Sequence, residues 1–456
     1  MEVPLSQRPI MAKVEARYRD QASPAYQAML VWGMINCVLV IAQQYLNFIF
    51  NPIGAQKFTY VSTGLWVAAI LATRRAPLRI PLAMAAILLM QVWLTICSVR
   101  GQLVLATLTP TNAMDFLWLV YVVGFFQASM LVWFAPQIRR TLGLLLLTMC
   151  CVSAGIAYLQ FLNIGPAISI SQVIRAADIV FTGAEGTEEI IRAPGLHSQI
   201  GGAVVWGCAA AMMWACRIYF KGLKWYDVLV VSMLIGSAIL VQVRNQMVLV
   251  SIIALWIVGI AVKKYGPKAA AATGGLFTVG IGAILANPES FGYLLKAGTG
   301  TLDYRRERLW PQAVNVLNQQ PIFGIGVEPA FCGWTTQVFP NKWLSISLVD
   351  NGFYLIGIWG GWPAIAMLGM VLAISTVSSI QMLYQKHEDY WHAGFRYATA
   401  VIALFMLTGM VWGGLYANPV ATGFYFIVIG LAMPSYRSDG LPGYDSMRLT
   451  PPHNVH

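Results

Sequence analysis

Apolar residues in this chain come in blocks, and polar residues collect between the blocks. About 20 mostly apolar residues in a helix cross the hydrocarbon core of a bilayer. Blocks of roughly that kind lie near 27–48, 58–73, 80–99, 115–134, 141–163, 198–216, 226–243, 246–262, 269–287, 351–379, 397–415 and 418–434. The pattern predicts about twelve spans. The block at 58–73 is short, and 226–262 is a closely spaced pair. The period-two alternation of a membrane barrel is missing, so the expected fold is an all-α polytopic transmembrane helical bundle. Residues 1–434 read as a single transmembrane domain, with no internal repeat, low-complexity segment or soluble domain. The polar, Gly- and Pro-containing tail 435–456 is expected to be disordered. The first 25 residues are polar and mixed in charge, so no cleavable signal peptide is expected.

Two polar intervals are long, at about 164–197 and 288–350, and loops of that length in a compact bundle are usually functional. Both are expected on the same side, carrying amphipathic helices. The second contains "DYRRERLWPQAVNVLNQQPIFGIG", Asp303 to Gly326. From Arg306 to Leu317, the apolar residues Leu309, Trp310, Ala313, Val314 and Leu317 recur at helical spacing. The spacing predicts an amphipathic helix at the membrane interface, stopped by Pro321. Gly324 and Gly326 then allow a tight turn with close backbone approach.

Composition agrees with the pattern: 58% of the 456 residues are hydrophobic and 10% charged, against about 25% charged in soluble domains. The net charge is +11. With both termini cytoplasmic, the cytoplasmic segments hold 19 of the 29 cations, against 8 of the 18 acids. The outer segments balance at 10 and 10. The basic excess is therefore a topogenic signal, and nucleic-acid binding is not expected. Six of the seven Cys lie in apolar runs, where they read as small core residues. Cys332 sits in a loop without an obvious disulfide partner, and no Cys/His spacing points to a metal site.

Against that charge pattern, four places carry candidate chemistry. Arg305, Arg306 and Arg308 cluster on the outer side, where they either snorkel and pair with Asp303 and Glu307 or bind an anion, most naturally phosphate. Arg244 and Asn245 fall between two apolar blocks with almost no loop; they either cap a hairpin or face a cavity or partner. "IIRAPGLHSQIGG" brings Arg192 and His197 to the outer face, where His197 is either a structural residue or a proton-transfer or sugar-binding group. Asp350 and Asn351 stand where the second long loop re-enters the membrane, as a general base or as helix caps. Trp334, Trp343, Tyr354 and Trp359 are suited to stacking on sugars or to an interfacial aromatic belt.

In this order the pieces resemble the O-antigen ligase and polymerase superfamily of bacterial polysaccharide assembly, itself related to C-type glycosyltransferases. The family pattern has an Arg-bearing hairpin, a long periplasmic loop with an Arg four residues before a Trp, a PxxGxG turn, and a His-Asn pair entering a span. Here those positions fall on Arg244, on Arg306 and Trp310, on Pro321 to Gly326, and on Asp350-Asn351. The resemblance covers roughly residues 190 to 375. The ligases carry His where this chain has Asp350, which favours the polymerase branch. What the resemblance implies is a metal-independent glycosyltransferase of the bacterial inner membrane, without cofactor. It would transfer undecaprenyl-pyrophosphate-linked repeat units onto an acceptor glycan at the periplasmic face. Arg244, Arg306 and Asp350 would be catalytic, with Arg192, His197, Asn245, Arg305, Arg308, Trp310 and Asn351 binding substrate. Its partners would be the lipid-linked glycan, membrane lipids, and a chain-length regulator and flippase. A ligase transferring polymer to lipid A core is the nearest alternative. A secondary transporter is the rival from another class; it would show polar or broken spans near the midplane.

Overall fold

The computed structural model describes residues 24–45, 55–74, 80–105, 118–173, 180–182, 189–191, 193–197, 200–266, 306–307, 310–326, 351–412 and 419–435. These residues are overwhelmingly helical. In chain order they form α1 (Pro24–Tyr45), α2 (Ala55–Arg74), α3 (Leu82–Arg100), α4 (Trp118–Phe134), α5 (Ile138–Phe161) and α6 (Gly165–Val173). After a short hairpin of β1 (Val180–Thr182) and β2 (Glu189–Ile191) come α7 (Ile200–Lys221), α8 (Trp225–Leu240) and α9 (Arg244–Tyr265). The last described elements are α10 (Trp310–Gln319), α11 (Gly352–Tyr384), α12 (Tyr390–Trp412) and α13 (Pro419–Leu431). Among the described residues six helices, within α1, α3, α5, α7, α9 and α11, are long and apolar enough to cross a membrane. The protein is a helical membrane protein. The block predicted at 269–287 and the tail from 436 lie outside the described residues.

α7 is the hub. Its run "GGAVVWGCAAAMM" is almost wholly buried, against α8, α9 and α12. Small side chains let neighbouring backbones approach, which drives helix packing in lipid where the hydrophobic effect between helices is weak. At Gly207 an added Cβ would lie 3.0 Å from the Leu234 carbonyl oxygen of α8. Trp206 stacks on Tyr425 of α13, centroids 5.2 Å apart. α13 in turn lies against α4, where a Cβ at Gly430 would meet the Phe125 oxygen at 2.6 Å.

The C-terminal end of α13 is held by buried cations. Arg139, at the start of α5, donates to the Leu431 carbonyl (2.9 Å), to the Met433 carbonyl and to the Glu388 carboxylate. Arg396 of α12 donates to the Ala432 carbonyl at 3.4 Å. A helix C-terminus leaves carbonyls without intrahelical partners and carries partial negative charge, so guanidinium donors suit it on both counts. These bonds place the start of α5, the start of α12 and the end of α13 at one end of the bundle.

Two features differ from the sequence-based expectation. A strand hairpin occupies part of the first long interval, Val180 pairing with Ile191 and Thr182 with Glu189. More consequentially, α11 is not one helix. Gly361 has φ 72° and ψ −170°, and Pro363 follows it, so the chain breaks between Gly352–Gly360 and the stretch from Trp362 to Tyr384. The second stretch, about 35 Å at 1.5 Å per residue, is long enough to cross a bilayer alone. The predicted span 351–379 is corrected accordingly: Gly352–Gly360 form a separate short helix.

Candidate functional site

The "PIFGIG" turn fills the break in α11. A broken helix frees backbone groups that lipid cannot satisfy, and membrane proteins tolerate a break only where other protein groups or water replace the lost bonds. Here the turn supplies them. The Ile325 and Gly326 N–H groups donate to the Ile358 and Trp359 carbonyls, at 2.8 and 3.1 Å, and the Trp362 N–H donates to the Pro321 carbonyl at 2.8 Å. The Gly360 carbonyl accepts from Trp93 Nε1 of α3 at 2.9 Å. This backbone-to-backbone approach requires glycine on both sides. A Cβ at Gly324 (φ 59°) would sit 2.3 Å from the Ile358 oxygen, and one at Gly361 would sit 2.3 Å from the Ile322 oxygen.

α3 clamps the turn from outside. Trp93 stacks on Phe323, centroids 5.4 Å apart with planes 18° apart. Arg100, at the end of α3, also lies over Phe323, 5.0 Å from its centroid. Its guanidinium donates to the Gly324 carbonyl (3.4 Å) and to Gln320 Oε1 (3.2 Å).

α10 is shorter than predicted. It begins at Trp310, and Arg306 and Glu307 form a wide helical turn ahead of it, both exposed. Its buried face is Ala313, Val316 and Leu317, with Val316 rather than Val314 turned fully inward. α10 packs beside the short first stretch of α11. The Trp310 ring lies 5.9 Å from Tyr354, and Leu317 reaches Gly357, where a Cβ would be 3.1 Å from Leu317 Cδ2. The two helices therefore start side by side. Asn351 caps α11, its Oδ1 accepting from the Phe353 and Tyr354 N–H groups at 2.9 and 3.2 Å. Of the two roles open for this pair, capping is the one Asn351 performs. Two helix N-termini, each the positive end of a dipole, thus lie side by side, and the turn that bears Arg306 precedes one of them.

A second assembly holds the segment ahead of α7. Ala193 to His197 fold into the bundle and are buried, rather than lying on its surface. Gln160 of α5 grips this segment in both directions: Oε1 accepts from the Gly195 N–H (2.9 Å), and Nε2 donates to the Gly195 carbonyl (3.0 Å). Ser153 Oγ accepts from the Leu196 N–H at 3.0 Å. Gly195 has φ 67°, and a Cβ there would lie 2.3 Å from the Ser153 carbonyl oxygen. The Ala193 N–H donates to the Leu240 carbonyl at the end of α8, at 3.4 Å. The segment is thereby held next to the α8–α9 hairpin.

The expectation that His197 is presented on the outer face is corrected. It is 3% exposed, its ring 4.8 Å from that of Tyr45. Burial pushes the imidazole down to about 3, so it is neutral at ordinary pH. It borders a cavity of about 10 Å³, room for one water, together with Ser153, Ser237 and Cys150. Neither its burial nor its surroundings suit direct contact with a bulky sugar.

Arg244 opens α9 and Asn245 follows it; their side chains lie outside the described residues. Arg192, Arg305, Arg308 and Asp350 lie outside them altogether. The structure thus sets Trp310 beside the Asn351-capped start of α11, with Arg306 in the turn ahead of α10, and sets Ala193–His197 beside the α8–α9 hairpin, whose second helix Arg244 opens. α7, α11 and α12 link the two assemblies. Among the described residues, no group of three or more His, Cys, Asp or Glu is placed to hold a metal ion. Sequence reasoning missed Arg100, Trp93, Gln160 and Ser153 as organisers of these assemblies. The one signal available was "GGWP" at 360–363, a Gly pair followed by Pro inside an apolar block.

No protein-family model matches the chain, and no curated protein matches it.

Proposed function

We propose that this protein is an inner-membrane polysaccharide polymerase. It transfers glycan repeat units from an undecaprenyl pyrophosphate carrier onto an acceptor glycan at the periplasmic face, with no metal. In this reading the chain has about twelve spans with both termini cytoplasmic. Residues 164–197 and 288–350 are then periplasmic. The observation that carries the proposal is the packing of Trp310, four residues after Arg306, against Tyr354 in the Asn351-capped start of α11. Cleaving the donor leaves negative charge on a pyrophosphate, and that charge needs preorganised positive partners. Arg306 and two adjacent helix N-termini supply them at the rim of the bundle, and Arg244 is assigned the same task from the α8–α9 hairpin. Asp350 is assigned to orienting or deprotonating the acceptor hydroxyl, and Arg192, Asn245, Arg305 and Arg308 to binding the donor.

The break in α11 is the feature that most resembles a transporter, whose broken helices offer free carbonyls to ions. Here the Ile358, Trp359 and Gly360 carbonyls are all taken by protein donors, which favours an interfacial enzyme. The test is surface-polysaccharide chain length in cells carrying Arg306→Ala or Arg244→Ala. Shortened chains at normal protein level support the polymerase. Chains of normal length with fewer of them joined to lipid A favour the ligase. Unchanged polysaccharide at normal protein level rejects enzyme function.

A further inference from the structure

We infer that the ends of α7, α8 and α9 farthest from Arg306 form a binding site for one anionic phospholipid. Four exposed lysines take its headgroup phosphate, and an apolar stripe of α8 takes an acyl chain. The α7–α8 connection reads "FKGLKW", and its tip alternates apolar and basic side chains. Phe220, Leu223 and Trp225 are 47%, 48% and 82% exposed, with Lys221 and Lys224 between them, both exposed as well. α9 brings Lys263 and Lys264 to the same end, because the Tyr265 hydroxyl and Lys264 Nζ both donate to the Ile218 carbonyl of α7, at 3.2 and 3.4 Å.

Aromatic rings restrain three of these ammonium groups. Lys264 lies over Tyr219 and Tyr265 (5.2 and 5.7 Å), Lys221 over Tyr390 (5.4 Å) and Lys224 over Tyr226 (5.7 Å). The neighbouring carboxylates are committed elsewhere. Asp227 is fully buried, accepting from Arg217, Trp214 Nε1 and the Lys224 N–H. Glu388 is paired with Arg139, and Asp389 caps the His392 N–H. Asp389 keeps its negative charge while capping, so most, though not all, of the four-lysine charge is uncompensated among the described residues.

A charge excess that merely orients the protein needs neither an exposed Trp at the tip nor rings beneath the lysines. The pattern instead matches a lipid at an interface: cations at headgroup depth, an amphipathic ring at the boundary, hydrocarbon below. Below Trp225, Val228 and Leu229 continue along the same face of α8, 38% and 63% exposed, at the i, i+3, i+4 spacing that makes one stripe. In the proposed orientation this is the cytoplasmic leaflet, whose anionic lipids attract basic segments.

The full-length protein, purified in detergent, is titrated with phosphatidylglycerol, phosphatidylcholine and inorganic phosphate; thermal midpoint and bound lipid by native mass spectrometry are read. Phosphatidylglycerol is expected to raise the midpoint by at least about 2 °C, with the other two inert. In K221Q/K224Q/K263Q/K264Q the affinity is expected to fall by roughly fivefold per lysine removed. Equal stabilisation by phosphatidylcholine, an equal shift with inorganic phosphate alone, or undiminished binding in the quadruple variant would each overturn the site. If that variant does not fold, salt on the wild-type protein decides. Binding should vanish at about 1 M NaCl, where screening acts within about 3 Å; binding that persists rejects the lysine clamp.

Discussion

Gly361→Ala probes the meeting of the "PIFGIG" turn with the broken helix, on which the position of α10, and so of Arg306, depends. The substitution asks an L-residue to hold φ 72° and pushes a methyl group to 2.3 Å from the Ile322 oxygen and 2.4 Å from the Pro321 oxygen. With ψ −170° this backbone is one essentially only glycine adopts, and it costs a residue with Cβ about 1–3 kcal/mol. Both contacted atoms are backbone, so relief comes only by withdrawing the turn. That sacrifices some of three backbone hydrogen bonds, to Ile358, Trp359 and Pro321, each worth about 0.5–1.5 kcal/mol. Together these predict a loss of about 3–5 kcal/mol. Gly369→Ala, in the unbroken part of α11 with nothing within 4 Å of its added Cβ, is the internal control. It should be neutral or gain about 0.5–1 kcal/mol, as Gly→Ala does inside a helix. The assay is thermal unfolding of purified variants in one detergent, followed by gel filtration. Gly361→Ala is expected to melt at least about 5 °C below Gly369→Ala. Coincident melting curves would refute the account of the turn as a splint.

Three further outcomes are expected. Arg100→Ala removes the donors to Gly324 and Gln320 and the cation over Phe323, for a loss of about 1–2 kcal/mol in the same unfolding assay; Arg100→Lys keeps the charge but not the fork and should recover only part of it. Gln160→Ala leaves the buried Gly195 N–H and carbonyl without their side-chain partner, at about 1–3 kcal/mol each. Limited proteolysis should then cut between Ala193 and His197, and an uncut variant contradicts the grip. Finally, His197 is held neutral with its folded value near 3 against about 6.5 unfolded. The unfolded chain gains a proton there first, so stability should be flat above pH ~7 and fall as pH drops from about 6.5 toward 3. His197→Gln should flatten part of that fall, and an unchanged pH profile counts against the burial argument.

What was legible in the sequence was whatever a single helix determines by itself. Blocks of apolar residues marked α1 to α5, α7 to α9 and α13 within about five residues, because a bilayer sets the length of such blocks, whereas α12 begins well ahead of its block at 397–415 and α11 is broken at Gly361. Local pattern also made α10 and its turn legible: "RERLW…PIFGIG" announces a short amphipathic helix, a stop and a turn. What could not be read was which distant backbone atoms meet. Nothing local in "PIFGIG" says that its N–H groups replace bonds lost some 35 residues later, since that depends on the tertiary approach of two glycine-bearing stretches. Arg100 looked like one more outer cation, and Gln160 like an ordinary residue near the end of a span. Their roles arise from partners more than 200 and about 35 residues away. His197 misled because position after a loop was taken for exposure, whereas Gln160 and Ser153 draw the whole segment inward.

The central claim is most directly tested by giving the purified protein, in liposomes with a chelator present, an undecaprenyl-pyrophosphate-linked repeat unit. The expected result is a ladder of lengthening glycans with release of undecaprenyl pyrophosphate. Arg306→Ala should lower its rate by roughly a hundredfold or more, as loss of a main charge-stabilising donor does, without moving the thermal midpoint. A wild-type protein that yields no glycan longer than the starting unit, or an Arg306→Ala variant that elongates at the wild-type rate, would contradict it.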